Sequence, residues 1–400
     1  MRKLKISSIV FVLLMLSLVP IYSLGWGKVN FLRNICAIIC GIYIIFHYKY
    51  VDLKNTLPLI VYLLVIAFSS WENRESMNLE AVMRHIALMF EIVVLPEIIT
   101  KRRSVADMTK IGLYLLIPYW VISVIVSMYI GIVPYGSGDV YFVGNKFNVA
   151  YLCILVIFMY GVSNAPNIRF KKTKYILYFL WLVSILTCIR ISVFTGVIML
   201  LIGIIMYINR FVKLNKKKRK RLNIVKSPII LLLAVILSGV IIIVIAAIFS
   251  LPVIADILAA INKTGTIESR LTIYSYLGKI IQNKPLLGHG FNTDIVKVTY
   301  AENAQNGLMK IIIENGFIGL VAFFALIWSK IKYSNHGKSF ACDWIRIWII
   351  SYIFSAIIEI TYSYHFVFIL EIFYLQCMEE LKVKNEKSSN YNNCQPKLRK

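Results

Sequence analysis

Residues 228–251 read PIILLLAVILSGVIIIVIAAIFSL, a stretch without a single charged side chain. About 20 apolar residues in a helix cross a bilayer core of roughly 30 Å, so this stretch is long enough to span a membrane, and similar stretches recur along the chain. The 400 residues are 59% hydrophobic and 16% charged, whereas soluble domains carry about 25% charged residues. The sequence therefore predicts an all-α, polytopic membrane protein and excludes secreted, disordered and fibrous classes.

Hydropathy predicts twelve transmembrane helices. They lie at 6–24, 31–48, 56–70, 79–100, 111–133, 147–163, 174–189, 192–212, 228–251, 304–329, 342–358 and 360–377. The first follows basic residues as a signal peptide would, but no small-residue cleavage site precedes Trp26, so we expect it to remain as a spanning helix. Residues 1–381 would form one membrane domain, and the polar tail 382–400 is expected to be disordered.

The formal net charge of +25 would suggest nucleic-acid binding in a soluble protein. In a membrane protein, basic loops mark the cytoplasmic side instead. The basic segments fall at the N-terminus, 49–54, 101–110, 169–174, 210–226, 330–338 and the tail. All of them lie on one side of a twelve-span topology, which places both termini in the cytoplasm. The densest run, 216–221, is expected to contact anionic lipid headgroups rather than nucleic acid.

The longest predicted outer loop covers residues 252–303, and connections of this length are usually functional or disordered. Within it, residues 267–283 show the periodicity of an amphipathic helix. The apolar face consists of Ile267, Leu271, Tyr274, Leu277 and Ile281, and the polar face of Glu268, Thr272, Ser275, Lys279 and Gln282. The pattern predicts an ordered helix outside the membrane.

Three arginines lie where a solvated residue is not expected. Arg270 falls on the apolar face of the amphipathic helix, where it needs an anion or an acidic neighbour; a structural ion pair explains it equally well. Arg190 sits at the junction of the seventh and eighth spans, and Arg84 lies near Glu80 and Glu91, which favours internal pairing. If these side chains converge, they form a cationic pocket that suits a diphosphate through bidentate contacts.

The segment PLLGHG at 285–290 is a second candidate part of the site. Its glycines, Gly288 and Gly290, permit either an ordinary tight turn or a close backbone approach to a ligand. His289 is the one histidine in the large outer loop. Outward carboxylates are few and no histidine pair has HExxH spacing, so neither a metal nor another cofactor is expected.

Four segments occur in a characteristic order. They are NKFN at 145–148, TCIR at 187–190, ESR at 268–270 followed by PLLGHG, and NAQN at 303–306 leading into IENGFIG at 313–319. Together they resemble the bacterial O-antigen and capsular polysaccharide polymerase and ligase superfamily. Its members are multi-spanning glycosyltransferases that act outside the membrane, and the resemblance covers nearly the whole chain.

The chain departs from the family pattern at Gln305, where members often have a histidine. In the ligases that histidine is thought to activate the acceptor hydroxyl, and glutamine cannot act as a base. The departure favours the polymerase branch, or it requires another residue to act as the base. His289 and Glu302 are the candidates for that base. The resemblance also implies that Asn145, Asn148, Asn306 and Gln305, with the two loop glycines, contact substrate.

The leading hypothesis is a repeat-unit polymerase of the bacterial plasma membrane that uses an undecaprenyl-diphosphate-linked oligosaccharide without a metal. Arg190 and Arg270 would stabilise the negative charge that develops on the leaving diphosphate. Flippase and chain-length regulator proteins are the implied partners, besides membrane lipids. A ligase that transfers finished glycan to a lipid or protein is the first alternative, and a flippase of lipid-linked sugars is the second. The absence of matching halves counts against the flippase.

Overall fold

The computed structural model describes residues 6–133, 140–168, 170–211, 226–249, 276–296 and 304–393. Each of the twelve predicted spans coincides with one α-helix, and the described residues contain no β-strand. The helices are α1 (Ile6–Leu18), α2 (Trp26–His47), α3 (Leu53–Glu72), α4 (Leu79–Thr100), α5 (Val105–Ile130), α6 (Lys146–Ser163), α7 (Lys171–Arg190), α8 (Phe194–Phe211), α9 (Pro228–Phe249), α10 (Gly307–Ile331), α11 (Phe340–Ser355) and α12 (Tyr364–Asn393).

Six of these helices, α2, α3, α5, α6, α7 and α10, are long and apolar enough to cross a membrane. Helices α1, α8 and α9 contribute shorter apolar stretches. A helix satisfies all of its interior backbone hydrogen bonds within itself, which the bilayer core requires. The architecture is therefore that of a polytopic membrane protein, while the number of crossings and the orientation of the termini stay predictions.

Aromatic side chains pack the interior where α6, α7, α8 and α11 meet. The ring centroid of Trp344 lies 5.5 Å from that of Trp181 and 5.9 Å from that of Trp348, and Tyr207 closes the group at 5.8 Å from Trp344. The indole Nε1 of Trp344 donates a 3.0 Å hydrogen bond to the carbonyl of Phe158. Large rings contribute much buried area, so this group holds these four helices together.

The C-terminal tail differs from its prediction. Residues 382–393 were expected to be disordered, but α12 continues without interruption to Asn393. No glycine or proline interrupts this stretch, and Glu380 stands four residues before Lys384, a spacing that supports a solvated helix. Glu380 also accepts the backbone N–H groups of Lys338 and Ser339, at 2.8 and 3.2 Å. These contacts anchor the helix just before its polar extension.

Helix α10 is broken at Gly316, whose φ of 63° and ψ of −169° are not helical. The sequence predicted one continuous span over 304–329. The break leaves carbonyl and N–H groups of residues 313–318 without their helical partners, and such groups need others when they lie in an apolar environment.

Candidate functional site

Residues 285–290, which we call the docked segment, fill the break in α10. The backbones of the two segments run alongside each other and exchange hydrogen bonds in both directions. These bonds join Phe317 N to Pro285 O (2.8 Å), Ile318 N to Leu286 O (3.2 Å), His289 N to Ile313 O (2.8 Å) and Gly290 N to Glu314 O (2.9 Å). The docked segment thus replaces the helical hydrogen bonds that Gly316 interrupts.

The glycines of PLLGHG allow this close approach. Gly288 has φ 71° and Gly290 has φ 90°, a region that favours glycine. A Cβ at Gly288 would lie 2.6 Å from the backbone of Glu314 and Gly316, and one at Gly290 would lie 2.8 Å from the Met77 sulfur. The structure shows a turn, because the N–H of Gly288 donates to the Lys284 carbonyl (3.1 Å), and the close approach is to protein; approach to a ligand stays a prediction.

His289 lies between the docked segment and the outer-loop helix. Its ring is 8% exposed, and its Nε2 is 2.9 Å from the carbonyl of Ile280. Residues 276–283 are helical, and Leu277 and Ile280 pack with Ile313 in a small apolar cluster. Residues 276–283, the described part of the predicted amphipathic helix, have Leu277 and Ile280 buried and Lys279 exposed, and a place outside the membrane stays a prediction.

The end of α3 holds both segments in place. Ser69, Ser70 and the following Asn73 each contact the docked segment, its neighbours or α10. Ser69 Oγ donates to Glu314 O (2.7 Å), Ser70 Oγ accepts from Phe291 N (3.1 Å), Asn73 Nδ2 donates to Gly288 O (3.3 Å) and Lys284 Nζ donates to Asn73 Oδ1 (2.5 Å). Three separate parts of the chain are thereby locked into one unit.

Beside this unit lies a group of ionisable side chains, Arg33, His85, Lys310, Glu314 and Tyr364, which we call the outer cluster. His85 Nδ1 is 2.6 Å from the Tyr364 hydroxyl, and Arg33 lies near the same hydroxyl. Lys310 Nζ lies 3.6 Å from Glu314 Oε1. Helices α2, α4, α10 and α12 each contribute, so the cluster lies where four helices meet.

The outer loop closes directly over the outer cluster. The Phe291 ring covers His85 with its centroid 3.9 Å from the imidazole centroid, and the N–H of Asn292 donates a 2.8 Å hydrogen bond to Glu314 Oε1. The cluster contains two cationic groups, Arg33 and Lys310, against one carboxylate. Such an excess of positive charge in a half-buried place suits an anionic group such as a phosphate.

The three arginines predicted to converge have different surroundings. Arg84 forms a 2.5 Å salt bridge with Glu80, so the expectation of internal pairing is confirmed. Arg190 lies against Gly131 at the end of α5, with its Nε 3.4 Å from the Met128 carbonyl. Arg270 lies outside the described residues. Their convergence stays a prediction.

The exposed guanidinium of Arg190 lies beside Gly131, at the start of the connection between α5 and α6. Tyr141 donates a 2.5 Å hydrogen bond to the carbonyl of Gly131, next to Arg190. Burial raises the pKa of the Tyr141 hydroxyl, and the nearby Arg190 offsets only part of this effect. Tyr141 is therefore a neutral donor at neutral pH.

Two of the three predicted asparagines cap helices, and the third, Asn148, lies half-buried in the first turn of α6. Asn145 Oδ1 accepts the N–H groups of Phe147 and Asn148 at the start of α6, at 3.0 and 3.1 Å. Asn306 is fully buried and caps α10, while its Nδ2 donates to the carbonyls of Ser238 and Ile357, at 2.9 and 3.1 Å. Capping satisfies otherwise unpaired N–H groups, so each of these two has a structural role whether or not it binds substrate.

The two remaining candidates are Gln305 and Glu302. Gln305 is half-buried and has φ 50°, so it forms the turn that leads into α10. Glu302 lies outside the described residues. No group of three or more His, Cys, Asp or Glu suited to a metal occurs in the described ranges, and independence of a metal stays a prediction.

Sequence reasoning missed Arg33 and Lys310, although a signal for both was present. Each is a basic residue inside a predicted span, at 31–48 and 304–329 respectively. Ionisable residues within spans are rare and commonly mark functional places. Neither residue lies in a predicted outer loop, where most of the candidate site residues were expected.

The helices, the docked segment and the outer cluster define a polytopic membrane protein in which residues 285–291 pack against α3 and α10. The sequence model of a family described as O-antigen ligase matches residues 149–324, from α6 through most of α10. Over these residues the chain is similar to the O-antigen ligase family. No curated protein matches the chain.

Proposed function

We propose that this protein is a repeat-unit polymerase of a bacterial plasma membrane, with both termini in the cytoplasm. It transfers a growing glycan from undecaprenyl diphosphate to a hydroxyl of an incoming lipid-linked unit on the outer face. The observation that carries the proposal is the family match over residues 149–324, which includes Arg190, the outer loop and the docked segment. The adjoining outer cluster adds positive charge beside that loop.

The reaction exchanges one glycosidic bond for another. The bond between the anomeric carbon and the diphosphate oxygen breaks, the acceptor oxygen bonds to that carbon, and the acceptor proton passes to a base. Arg190 and Arg270 stabilise the charge on the departing diphosphate, which is released still attached to its lipid. The proposed reaction uses no metal. A flippase would supply the lipid-linked repeat units, and a chain-length regulator would limit the length of the polymer.

His289 and Glu302 remain the candidates for the base. The Nε2 of His289 lies 2.9 Å from a carbonyl, an acceptor that requires a proton on this nitrogen. In a neutral imidazole the other nitrogen, Nδ1, is then the acceptor. His289 can accordingly take a proton through Nδ1 while it holds the outer-loop helix.

Deleting the gene in its host tests the proposed function directly. The measurement is the length and membrane sidedness of the lipid-linked glycans that accumulate. We expect single repeat units facing outward. Full-length polymer still attached to its lipid would identify a ligase instead, the alternative that the description of the matched family favours. Single units retained on the cytoplasmic face would identify a flippase.

The arginine proposal predicts that Arg190→Lys and Arg270→Lys each shorten the polymer severely. Lysine keeps the charge but cannot reproduce bidentate contacts to phosphate oxygens, and loss of one oriented donor typically slows a reaction by about 10²–10³-fold. Arg74→Lys is the matched control, because Arg74 is an exposed arginine of the 71–78 loop that contacts Trp71. Normal polymer in both test variants, at normal protein level, would refute the assignment.

A further inference from the structure

A cleft of about 710 Å³ opens between α1, α2 and the turn that joins α4 to α5. It adjoins the C-terminal end of α2, on the side that the basic loops predict to be cytoplasmic, whereas the outer cluster lies on the opposite side. We call it the inner cleft. Its lining residues are Ile6, Ser7, Val10, Ile39, Ile42, Tyr43, Phe46, His47, Arg102 and Arg103.

One wall of the inner cleft is apolar and open to the membrane. Ile39, Ile42 and Phe46 have exposed fractions of 41%, 48% and 77%. They recur at intervals of three and four residues, so they form one stripe along α2. A stripe of this kind, facing the membrane beside a concave surface, offers a binding wall for acyl chains.

The other end of the inner cleft is cationic. Arg103 donates a 2.6 Å hydrogen bond to Ser8 Oγ, and its Nε is buried without a partner among the described residues. Arg102 donates a 3.3 Å hydrogen bond to the Tyr50 hydroxyl and lies 5.4 Å from that ring centroid. A guanidinium has five N–H donors, so both arginines retain donors for an anion.

The charges around this end are predominantly positive. None of the ten lining residues is acidic, and the basic side chains of Lys49 and Lys101 stand in the adjacent turns. Four carboxylates of the adjacent segments and of α12 accept hydrogen bonds from other groups: Asp52 from Asn55, Glu97 from the N–H of Asp52, Asp107 from Ser104 and Glu379 from the N–H of Val105. A ligand with a second positive charge would be repelled here.

We propose that the inner cleft binds one anionic phospholipid of the cytoplasmic leaflet. Its phosphate contacts the guanidinium groups of Arg102 and Arg103, and its acyl chains lie along the stripe formed by Ile39, Ile42 and Phe46. Phosphate and guanidinium match in geometry. The group attached to the phosphate can be uncharged, as glycerol is. A cationic ammonium group at that position is repelled by the surrounding lysines and arginines. This site is separate from the proposed glycan chemistry and does not depend on it.

The test uses the full-length protein purified in an uncharged detergent and analysed by native mass spectrometry. Palmitoyl-oleoyl phosphatidylglycerol is titrated, and the fraction of protein with one bound lipid gives the affinity. The variant R102Q/R103Q should bind about thirtyfold more weakly, since each basic group near an anionic headgroup contributes roughly 1 kcal/mol, or about fivefold. The variant I42W keeps both charges but fills the cleft, and should also lose most of the binding.

The matched control is K171Q/K172Q, which removes the same charge from two exposed lysines on the same predicted side and should bind phosphatidylglycerol normally. Phosphatidylcholine with the same chains should bind at least tenfold more weakly to the unmodified protein, and millimolar inorganic phosphate should displace little lipid. Equal binding by R102Q/R103Q and K171Q/K172Q would overturn the proposal. Unchanged binding by I42W, or full displacement by phosphate, would show a phosphate contact without a lipid site and would also overturn it.

Discussion

Replacing Gly316 with alanine is expected to release the docked segment from α10 and to abolish polymer formation. The φ of 63° and ψ of −169° at Gly316 are almost restricted to glycine, and another residue there costs about 1–3 kcal/mol. The added Cβ would also overlap the backbone of Leu286. Because backbone on both sides is fixed by hydrogen bonds, neither side can yield without losing them, and each unpaired buried group costs about 1–3 kcal/mol more.

Two measurements check this prediction: the thermal unfolding midpoint of the purified protein in detergent and the glycan length in cells. Gly278→Ala is the control, because Gly278 lies in the outer-loop helix with open space around its Cβ position. Alanine in a helix is favoured over glycine by roughly 0.5–1 kcal/mol, so this variant should retain or slightly raise stability. If Gly316→Ala behaves like Gly278→Ala, the break in α10 is not required.

The second large effect is expected from Lys330→Met. Lys330 Nζ lies 2.7 Å from Glu371 Oε2, and the two side chains are 1% and 0% exposed. Removal of one partner leaves a buried charge without compensation, which costs about 3–5 kcal/mol. The variant should unfold at a clearly lower temperature, or accumulate poorly, because α10 and α12 are joined by this pair.

The double variant Lys330→Met/Glu371→Leu separates the charge effect from a loss of packing. A buried ion pair can be replaced by apolar residues of similar size at little cost, so the double variant should recover most of the lost stability. Lys332→Met, two residues along the chain, removes a half-buried lysine that stacks on Tyr333 and should have a small effect. A single variant as stable as the unmodified protein would contradict the prediction.

The twelve helices could be predicted because a long apolar stretch satisfies its own backbone hydrogen bonds inside a bilayer only when it is helical. The break in α10 could not. IENGFIG at 313–319 is equally compatible with a straight helix containing a tolerated glycine, and only the docked segment, about 25 residues earlier, supplies the missing hydrogen bonds. The helical extension beyond Lys382 could not be predicted, because a polar composition is also typical of disordered segments.

The candidate site was predicted less completely than the fold. Its location beside PLLGHG was indicated by two glycines, but their partner could not be known from local sequence. Arg84 was correctly expected to pair, since Glu80 stands four residues away. The outer cluster joins residues as distant in sequence as Arg33 and Tyr364, and such proximity arises only from helix packing.

The contacts of α3 with α10 imply an order of biogenesis. Ser69, Ser70 and Asn73 belong to a helix that is synthesised some 240 residues before Glu314. When α10 leaves the ribosome, the serines and the asparagine are therefore already available in the membrane, and the docked segment has also been made. The interrupted helix α10 can therefore form its missing hydrogen bonds during insertion. Its unpaired backbone groups do not depend on a part of the chain that is synthesised later.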